Sequence, residues 1–310
     1  MVNKYIKGLP YTGSKYKLLG QLLPLFPEDI NCFYEPFTGG HNIAQNIKAK
    51  RYLLNEKIEM VRFIYYLLQQ RSIKSFIESV KHNIDKYQLN KTNKSQYYYL
   101  RSNFNYILKK WYTPIEEHNY YTLPNSRLEI LIIYFFLLVC HSFNNQIRFN
   151  KDNEFNLPFG YRTFNNKIEE NLLQFGTWIN NNKHSITYYA QDFDLFIYLL
   201  VSQPINSNDF IYLDPPYYNT TATYNENNWT EEHERVLFNW LQYFIDNNIQ
   251  FGLSNCFIND KPTSYIMEEF IVNNKDKIKI HYLNKNYKNC NHQKKQDKIV
   301  TEIYITNVGV

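Results

Sequence analysis

The tetrapeptide Asp214-Pro215-Pro216-Tyr217 has the clearest chemical potential in the chain, and it directly follows the apolar segment Phe210–Leu213. A carboxylate at the carboxyl end of a buried parallel strand faces the crevice where α/β folds bind ligands. The two prolines lack backbone N–H groups and leave rigid carbonyl acceptors beside it. Acceptors next to a flat tyrosine ring suit an exocyclic amino group on a nucleobase. A strand followed by an ordinary proline turn is the alternative interpretation.

A second candidate site is Glu35–Gly40 (EPFTGG), which lies between a predicted strand and a predicted helix. A tight strand-to-helix turn is its purely structural interpretation. Glu56 ends the next predicted strand, where nucleoside-binding α/β domains place an acid that accepts hydrogen bonds from ribose hydroxyls. The pyrophosphate pattern G-x-G-x-x-G is missing here. We therefore expect a nucleoside cofactor without phosphates rather than a dinucleotide.

The elements that would position these residues are those of an α/β domain. Ile30–Phe37 and Arg51–Leu54 are predicted strands, and a helix is predicted over Asn42–Ala49 between them. Strand, glycine turn, helix and strand in this order are typical of the start of a parallel sheet. The later predicted elements are strands over Phe210–Leu213, Gln250–Ser254 and Ile299–Thr306 and a helix that begins after the N-cap Thr230.

The middle of the chain has a different pattern. From about Met60 to Asn165 it is mainly helical, and Leu128–Cys140 is apolar enough for a buried helix. That run contains Glu129 and is shorter than the about 20 residues that a membrane span needs. The polar and turn-rich segment His141–Gly160 predicts a hairpin or an ordered loop. Together these features indicate a helical insertion within an α/β domain.

Composition excludes several classes of protein. The 310 residues carry 34 Lys and Arg against 29 Asp and Glu, and the net charge of +5 permits a polyanionic partner without requiring one. This net charge and a charged fraction of 20% are ordinary values, which excludes disorder of the whole chain. The four cysteines are widely spaced, so neither a zinc site nor a disulfide framework is expected. With no secretory signal and no membrane span, we expect a cytoplasmic protein.

The motifs occur in an order that resembles the Dam-like, D12-class DNA adenine-N6 methyltransferases over nearly the whole chain. The segment YTGSKYKLL at Tyr11–Leu19 is similar to the family's cofactor-wrapping segment W-x-G-G-K-x-x-L-L. The other blocks are Glu35–Gly40, Asn55-Glu56, Phe143–Asn150 with Phe155–Gly160, Asp192-Phe193, Asp214–Tyr217, Ser254-Asn255 and the strand IVTEIYIT. Several blocks in the family's order are far more specific than any one of them.

The resemblance implies an α/β fold: a Rossmann-like sheet of an S-adenosylmethionine-dependent methyltransferase with an inserted, mostly helical target-recognition domain. The catalytic domain would comprise residues 1–61 and 166–310, and the recognition domain residues 62–165 with a DNA-reading hairpin near 141–160. A methyl group would pass from S-adenosylmethionine to N6 of a flipped adenine in double-stranded DNA, giving S-adenosylhomocysteine, without a metal.

The family's roles are assigned to the matching positions of this chain. The catalytic residues would be Asp214, Pro215, Pro216 and Tyr217. The cofactor-binding residues would be Tyr11, Lys15, Glu35, Phe37, Gly39, Glu56, Asp192, Phe193 and Asp214. The DNA-binding residues would be Phe143, Asn144, Gln146, Arg148 and Asn156. The basic run Asn284–Lys298 is ordinarily a solvated loop, but beside DNA its Lys294 and Lys295 would contact phosphates.

Departures from the family's pattern bear on specificity. His41 replaces a further glycine, which suggests a changed helix start, and Asn145 replaces the glycine of F-N-G, where asparagine is the best other residue for a left-handed turn. Pro10 and Gln146 stand where GATC-specific members have Lys and Leu. A recognition sequence other than GATC is therefore expected.

Several alternatives stay open. Arg148 suits bidentate recognition of a guanine edge or is a solvated loop residue, and Phe143 is either a wedge between bases or an anchor on the helical core. The acceptor could also be RNA or a protein amide, although protein-glutamine enzymes usually carry Asn in place of Asp214. A non-catalytic DNA-binding relative is disfavoured because the cofactor and catalytic motifs are both present. The enzyme could act in restriction–modification with a cognate restriction endonuclease, in a phage or in epigenetic marking. We expect it to act as a monomer.

Overall fold

The computed structural model describes residues 5–111, 126–218, 229–284 and 299–310. The strands are β1 Ile30–Glu35, β2 Ala49–Asn55, β3 Ile186–Tyr189, β4 Phe210–Leu213, β5 Gln250–Ile258, β6 Lys261–Pro262, β7 Lys279–Leu283 and β8 Val300–Thr306. They form one sheet in the order β3-β2-β1-β4-β5-β8-β7, and β6 pairs with the end of β5. β1 to β5 run parallel, and β8 is antiparallel to both of its neighbours. The predicted Rossmann-like α/β architecture is confirmed.

Helices cover both faces of this sheet. They are α1 Leu19–Leu22, α2 Glu59–Gln70, α3 Ile73–Lys86, α4 Lys94–Trp111, α5 Ser126–His141, α6 Asn166–Asn182, α7 Phe193–Val201, α8 Glu231–Asp246 and α9 Tyr265–Asn273. Thr230 caps α8 as predicted, because its hydroxyl accepts from the backbone N–H of His233.

The sheet separates two apolar layers, which fixes the face to which each side chain points. Phe33, Tyr212 and Tyr304 belong to the layer shared with α2 to α6, whereas alternate residues of the same strands face α7 to α9. Side chains alternate along a strand. Consequently Glu35 and Glu302, each two positions from one of these rings, point to the layer shared with α2 to α6.

The described residues between 59 and 141 are mainly helical, as predicted, and α5 is buried from Leu131 to Cys140. None of the helices among the described residues is long and apolar enough to cross a membrane. The division into a catalytic and a recognition domain stays a prediction; its first boundary, between residues 61 and 62, lies inside α2.

The predicted helix over Asn42–Ala49 is wrong. Only a 3₁₀ turn forms, at Ala44–Asn46, and β2 already begins at Ala49. The Asn46 side chain pairs with both backbone polar groups of Ile6, each at 2.7 Å, and Asn42 Oδ1 accepts from Gly8 N at 3.2 Å. These amides bind the N-terminal segment, in competition with a continuous helix.

His41 is correspondingly not the start of a helix. It has a left-handed φ of 59° and is fully buried, and its ring nitrogens contact Gln45 Oε1 at 2.7 Å and the Tyr188 hydroxyl at 3.2 Å. Burial lowers the pKa of His41 to about 4, so the ring is neutral at neutral pH. The residue that replaces the family's glycine is therefore a packed structural residue.

Candidate active site at the carboxyl edge of the sheet

Four acidic side chains meet at the carboxyl edge of the sheet. Glu35 ends β1, Glu56 follows β2 and Asp214 follows β4, so the parallel strands bring them to one edge. Glu302 arrives from β8, where it pairs with Cys256 near the end of β5. Such a cluster of carboxyl groups suits a ligand that carries positive charge or hydrogen-bond donors.

Lys15 supplies positive charge within this group. Its side chain is only 5% exposed, and Nζ lies 2.6 Å from Asp214 Oδ1. Burial alone would lower the pKa of Lys15, but its attraction to Asp214 and Glu302 outweighs burial and raises the pKa. The amine is therefore charged and balances part of the acidic cluster.

Tyr217 is held from two sides. Its hydroxyl donates to Glu302 Oε2 at 2.8 Å, and Lys15 Nζ lies over its ring, 5.0 Å from the centroid. Burial, followed by the charges of Glu302 and Asp214, raises the pKa of Tyr217 well above its usual value. The side chain is thus a neutral phenol that donates a hydrogen bond to Glu302.

Glu35 has an unused acceptor. The side chain is 2% exposed, and Oε2 has no hydrogen-bond partner among the described residues. Burial, together with Asp214 and Glu56, raises the pKa of this carboxyl well above its ordinary value. Because a buried unsatisfied polar atom is costly, Glu35 is placed to receive a donor from a ligand.

Glu56 is buried beside the glycine turn. Its Oε1 accepts from the backbone N–H of Ile58 at 2.7 Å, and burial raises its pKa to about 7. The neighbouring Asn55, which sequence analysis only noted as part of a motif, donates to Pro36 O and Gln191 O, each at 3.0 Å, and accepts from Gln191 N. It joins the ends of β1 and β2 to the loop after β3.

The N-terminal segment lies directly on the glycine turn. Leu9 N donates to Gly40 O at 2.9 Å, and a Cβ on Gly40 would be 2.6 Å from Tyr11 Cβ. Gly39 has a φ of 51°, and a Cβ there would be 3.2 Å from the Tyr11 ring. The glycines are thus required for close approach, which brings Tyr11 and Lys15 to the acidic cluster.

An aromatic wall adjoins the same edge. The ring centroids of Phe37 and Phe193 are 5.2 Å apart. The Trp229 ring packs against both, with centroid distances of 5.8 Å to Phe37 and 5.3 Å to Phe193. Asp192 caps α7 and accepts from Lys57 Nζ at 2.8 Å; burial alone would raise its pKa, but Lys57 and the backbone of Asp194 lower it. Trp229 escaped sequence analysis because no motif surrounds it.

These side chains fit a charged nucleoside such as S-adenosylmethionine. Glu35 Oε2, which has no partner in the described part of the chain, can accept from an ammonium group. Glu56 can accept from ribose hydroxyls, and the aromatic wall can contact a base. Among the described residues, no group of three or more His, Cys, Asp or Glu side chains could hold a metal ion.

Two isolated antiparallel bridges join the two arms of the segment that was predicted to be a hairpin or an ordered loop. Ser142 pairs with Phe159 and Phe149 with Phe155, both antiparallel. Asn145 has the expected left-handed conformation, with φ 53°, and its side chain donates to Val139 O at 2.9 Å, at the end of α5. The hairpin is thus fixed to the helical layer at its base.

Five of the predicted DNA-contacting residues lie along this hairpin. Arg148 is exposed and donates through Nε to Asn156 Oδ1 at 2.7 Å. Phe143 is 39% exposed, and Gln146 is partly exposed. Asn144 O accepts from Thr12 Oγ1 at 3.3 Å, so the hairpin contacts the N-terminal segment.

Two of the predicted DNA-contacting residues, Lys294 and Lys295, lie outside the described residues. Sequence analysis also missed Arg162, which donates to Asn144 Oδ1 at 3.1 Å and Asn145 Oδ1 at 3.0 Å. Nothing in its local sequence distinguishes it from any exposed arginine.

The known proteins to which this chain is similar are DNA methyltransferases. Residues 11–298 match the family described as D12 class N6 adenine-specific DNA methyltransferase. The chain is 34% identical to Modification methylase StsI of Streptococcus sanguinis over an alignment of 313 positions, which covers 98% of this chain and 43% of that protein. It is 28% identical to Type II methyltransferase M.FokI of Planomicrobium okeanokoites, with the same coverage. A DNA adenine methylase of Salmonella typhi is 23% identical over 80% of this chain and 79% of its own. This chain therefore spans less than half the length of the first two relatives.

Proposed function

Because this chain belongs to the D12 class of N6 adenine-specific DNA methyltransferases, we propose that it transfers a methyl group from S-adenosylmethionine to N6 of an adenine flipped out of double-stranded DNA. The observation that carries the proposal is the position of the Asp214–Tyr217 motif. It follows β4 at the acidic edge of the sheet, with Lys15 2.6 Å from the Asp214 carboxylate.

The chemistry requires acceptors rather than a strong base. The N6 lone pair of adenine is delocalised into the ring, and the Asp214 carboxylate and the Pro215 carbonyl together accept both amino protons and localise it. Lys15 balances the charge of Asp214, which keeps the carboxylate a hydrogen-bond acceptor. The bound S-adenosylmethionine supplies an electrophilic methyl group. Orientation of the two reactants within the pocket supplies much of the rate.

Base extrusion requires a platform. An adenine inside a duplex cannot reach Asp214, so it must leave the stack at a cost of about a few kcal/mol. Stacking on Tyr217 offsets part of that cost. Once methylated, the aminium nitrogen is acidic and gives up a proton, which Asp214 can receive.

Three features support a cofactor site at the acidic edge: Glu35 Oε2, which lacks a partner among the residues that the structure describes, the buried Glu56 and the aromatic wall. The proposed contacts are Tyr11, Lys15, Glu35, Phe37, Gly39, Glu56, Asp192, Phe193 and Asp214. The proposed reaction needs no metal.

DNA recognition is assigned to residues 62–165, and catalysis to residues 1–61 and 166–310. The hairpin residues Phe143, Asn144, Gln146, Arg148 and Asn156 would meet the duplex, and Lys294 and Lys295 would add phosphate contacts. The exposure of Phe143 and its position outside the apolar core favour a role at the DNA. Pro10 and Gln146 argue against GATC as the target.

The relatives named modification methylases suggest restriction–modification as the context, with a cognate endonuclease as partner. Within a protein as long as those relatives, this chain would act as one methyltransferase module. We propose that it acts as a monomer on its site.

Arg148→Ala is expected to relax specificity at one base pair by about 1–3 kcal/mol, because a guanidinium can form a bidentate contact with a guanine edge. Asn156 already orients the guanidinium, with Nη2 3.3 Å from its backbone oxygen. Relative methylation rates on duplexes with single substitutions measure the effect. Arg51→Ala, an exposed arginine in the amino-terminal half of β2, is the matched control and should leave the rates unchanged. Equal specificity in the Arg148 variant would assign this residue to the solvated surface.

The proposed function is tested by incubating the protein with methyl-labelled S-adenosylmethionine and duplex DNA, RNA or protein in parallel. Each product is digested to nucleosides or amino acids. We expect label in N6-methyldeoxyadenosine from the duplex. Label in RNA adenosine or in a protein amide, or transfer to none of the three, would contradict the proposal.

A further inference from the structure

A buried carboxylate on β8 has no assigned role in the reaction. Glu302 is 2% exposed and lies on a strand whose other residues at its centre are apolar or aromatic. An apolar side chain would fill this position without the cost of burying a charge. A carboxylate at this buried position therefore indicates a role beyond packing.

The contacts of Glu302 lead to the proposed adenine platform. Its Oε2 accepts from the Tyr217 hydroxyl at 2.8 Å, and the same tyrosine ring lies under Lys15 Nζ. The interaction joins two parts of the chain that are 85 positions apart. A Tyr217 ring fixed at its hydroxyl and on one face has little freedom to rotate.

We propose that Glu302 is a positioning residue: its buried carboxylate holds the hydroxyl of Tyr217 and thereby fixes the ring on which the extruded adenine stacks. The inference rests on the proposed function. It extends that function to a residue that does not touch the reacting atoms. Glu302 also attracts Lys15, so the same carboxylate helps to keep that cation between Asp214 and the Tyr217 ring.

A double-mutant cycle measures the contribution of the Tyr217–Glu302 hydrogen bond to stability separately from its effect on catalysis. Glu302→Leu and Tyr217→Phe each leave one buried polar group without its partner, whereas the double variant removes both. In the cofactor-free protein, the two single variants should therefore lose more Tm in sum than the double variant loses. This measurement requires no turnover.

The role is measured by kinetics and by base stacking. We expect Glu302→Leu and Tyr217→Phe each to lower kcat by about tenfold, with KM for S-adenosylmethionine within about twofold, and the double variant to be no slower than the worse single variant. Glu302→Gln, whose amide oxygen can accept from Tyr217, should recover most of kcat. A duplex with 2-aminopurine at the target position should fluoresce more strongly on Glu302→Leu than on the wild-type protein, because the extruded base stacks less.

The chain offers a matched control at the opposite edge of the sheet. The Tyr34 hydroxyl donates to the buried Asp209 carboxylate at 3.2 Å, which is a bond of the same kind away from the site. Tyr34→Phe should lower Tm and leave kcat and 2-aminopurine fluorescence unchanged.

The outcomes separate this inference from the proposed function. If Glu302→Leu lowers Tm alone, as Tyr34→Phe does, or if the two losses in kcat multiply in the double variant, the positioning role is wrong while methyl transfer stands. A folded wild-type protein that methylates no DNA adenine would overturn the proposed function and this role with it.

Discussion

Asp214→Ala is expected to lower the rate of methyl transfer by on the order of 10³-fold, while duplex DNA remains bound. The variant loses the carboxylate that accepts an amino proton of adenine. DNA binding should persist because the hairpin residues are untouched and Asp214 lies at the tip of β4. Single-turnover rates and a DNA-binding isotherm measure the two effects.

Folding must be controlled in this experiment. Lys15 is 5% exposed and paired with Asp214, and removal of one partner of a buried pair costs about 3–5 kcal/mol. Asp214→Asn therefore accompanies it: the amide oxygen can still accept from Lys15, and an intermediate rate with near-normal Tm is expected. Asp276→Ala changes an exposed aspartate on the surface and should be neutral. Unchanged turnover in a folded Asp214→Ala protein would refute the assigned role.

Cofactor affinity is expected to increase about tenfold between pH 6 and pH 8, in line with a carboxyl whose pKa is about 7. Burial raises the pKa of Glu56, so in the free protein it is mostly protonated at pH 6 and mostly ionised at pH 8. Ribose hydroxyls donate to the ionised form. Binding therefore tightens as pH rises through the pKa, and it releases a proton below that value.

Methylthioadenosine is the suitable probe, because it has the ribose hydroxyls but no titrating amino acid group. Calorimetry in two buffers of different ionisation enthalpy should show proton release at pH 7. Glu56→Gln should bind weakly with a flat pH profile. Glu59→Gln carries the same change on the first turn of α2 and should retain the wild-type profile. An unaltered pH dependence in Glu56→Gln would assign the titration to another group.

The end of β4 was predictable from local patterns. Phe210–Leu213 is an apolar run of strand length that stops at two prolines, which cannot continue a sheet ladder, and β4 has these bounds. The end of β1 was not predicted correctly: the predicted strand ran to Phe37, whereas β1 ends at Glu35, directly before Pro36. Asn145 was expected to have a left-handed backbone conformation, and its φ of 53° confirms this. For β4 and Asn145 the information lies within a few residues of the position concerned.

The remainder depends on contacts between distant segments. The predicted helix over Asn42–Ala49 does not form because Asn46 binds Ile6. At the base of the hairpin, Asn144 and Asn145 are held by Thr12 and Arg162, which are distant in sequence. Glu302 looks like one polar residue in an alternating strand until the fold brings it to Tyr217. Local periodicity contains no information on such pairs, because each is fixed by the topology of the sheet.

Crystals of the protein grown with S-adenosylhomocysteine give the most direct test of the central claim, which is that the acidic carboxyl edge holds the methyl donor beside the Asp214–Tyr217 motif. We predict that the adenosine lies at Glu56 and the aromatic wall, with the amino acid part toward Glu35 and Asp214. A product molecule bound at another surface, or a carboxyl edge that stays empty at saturating concentration, would contradict the account.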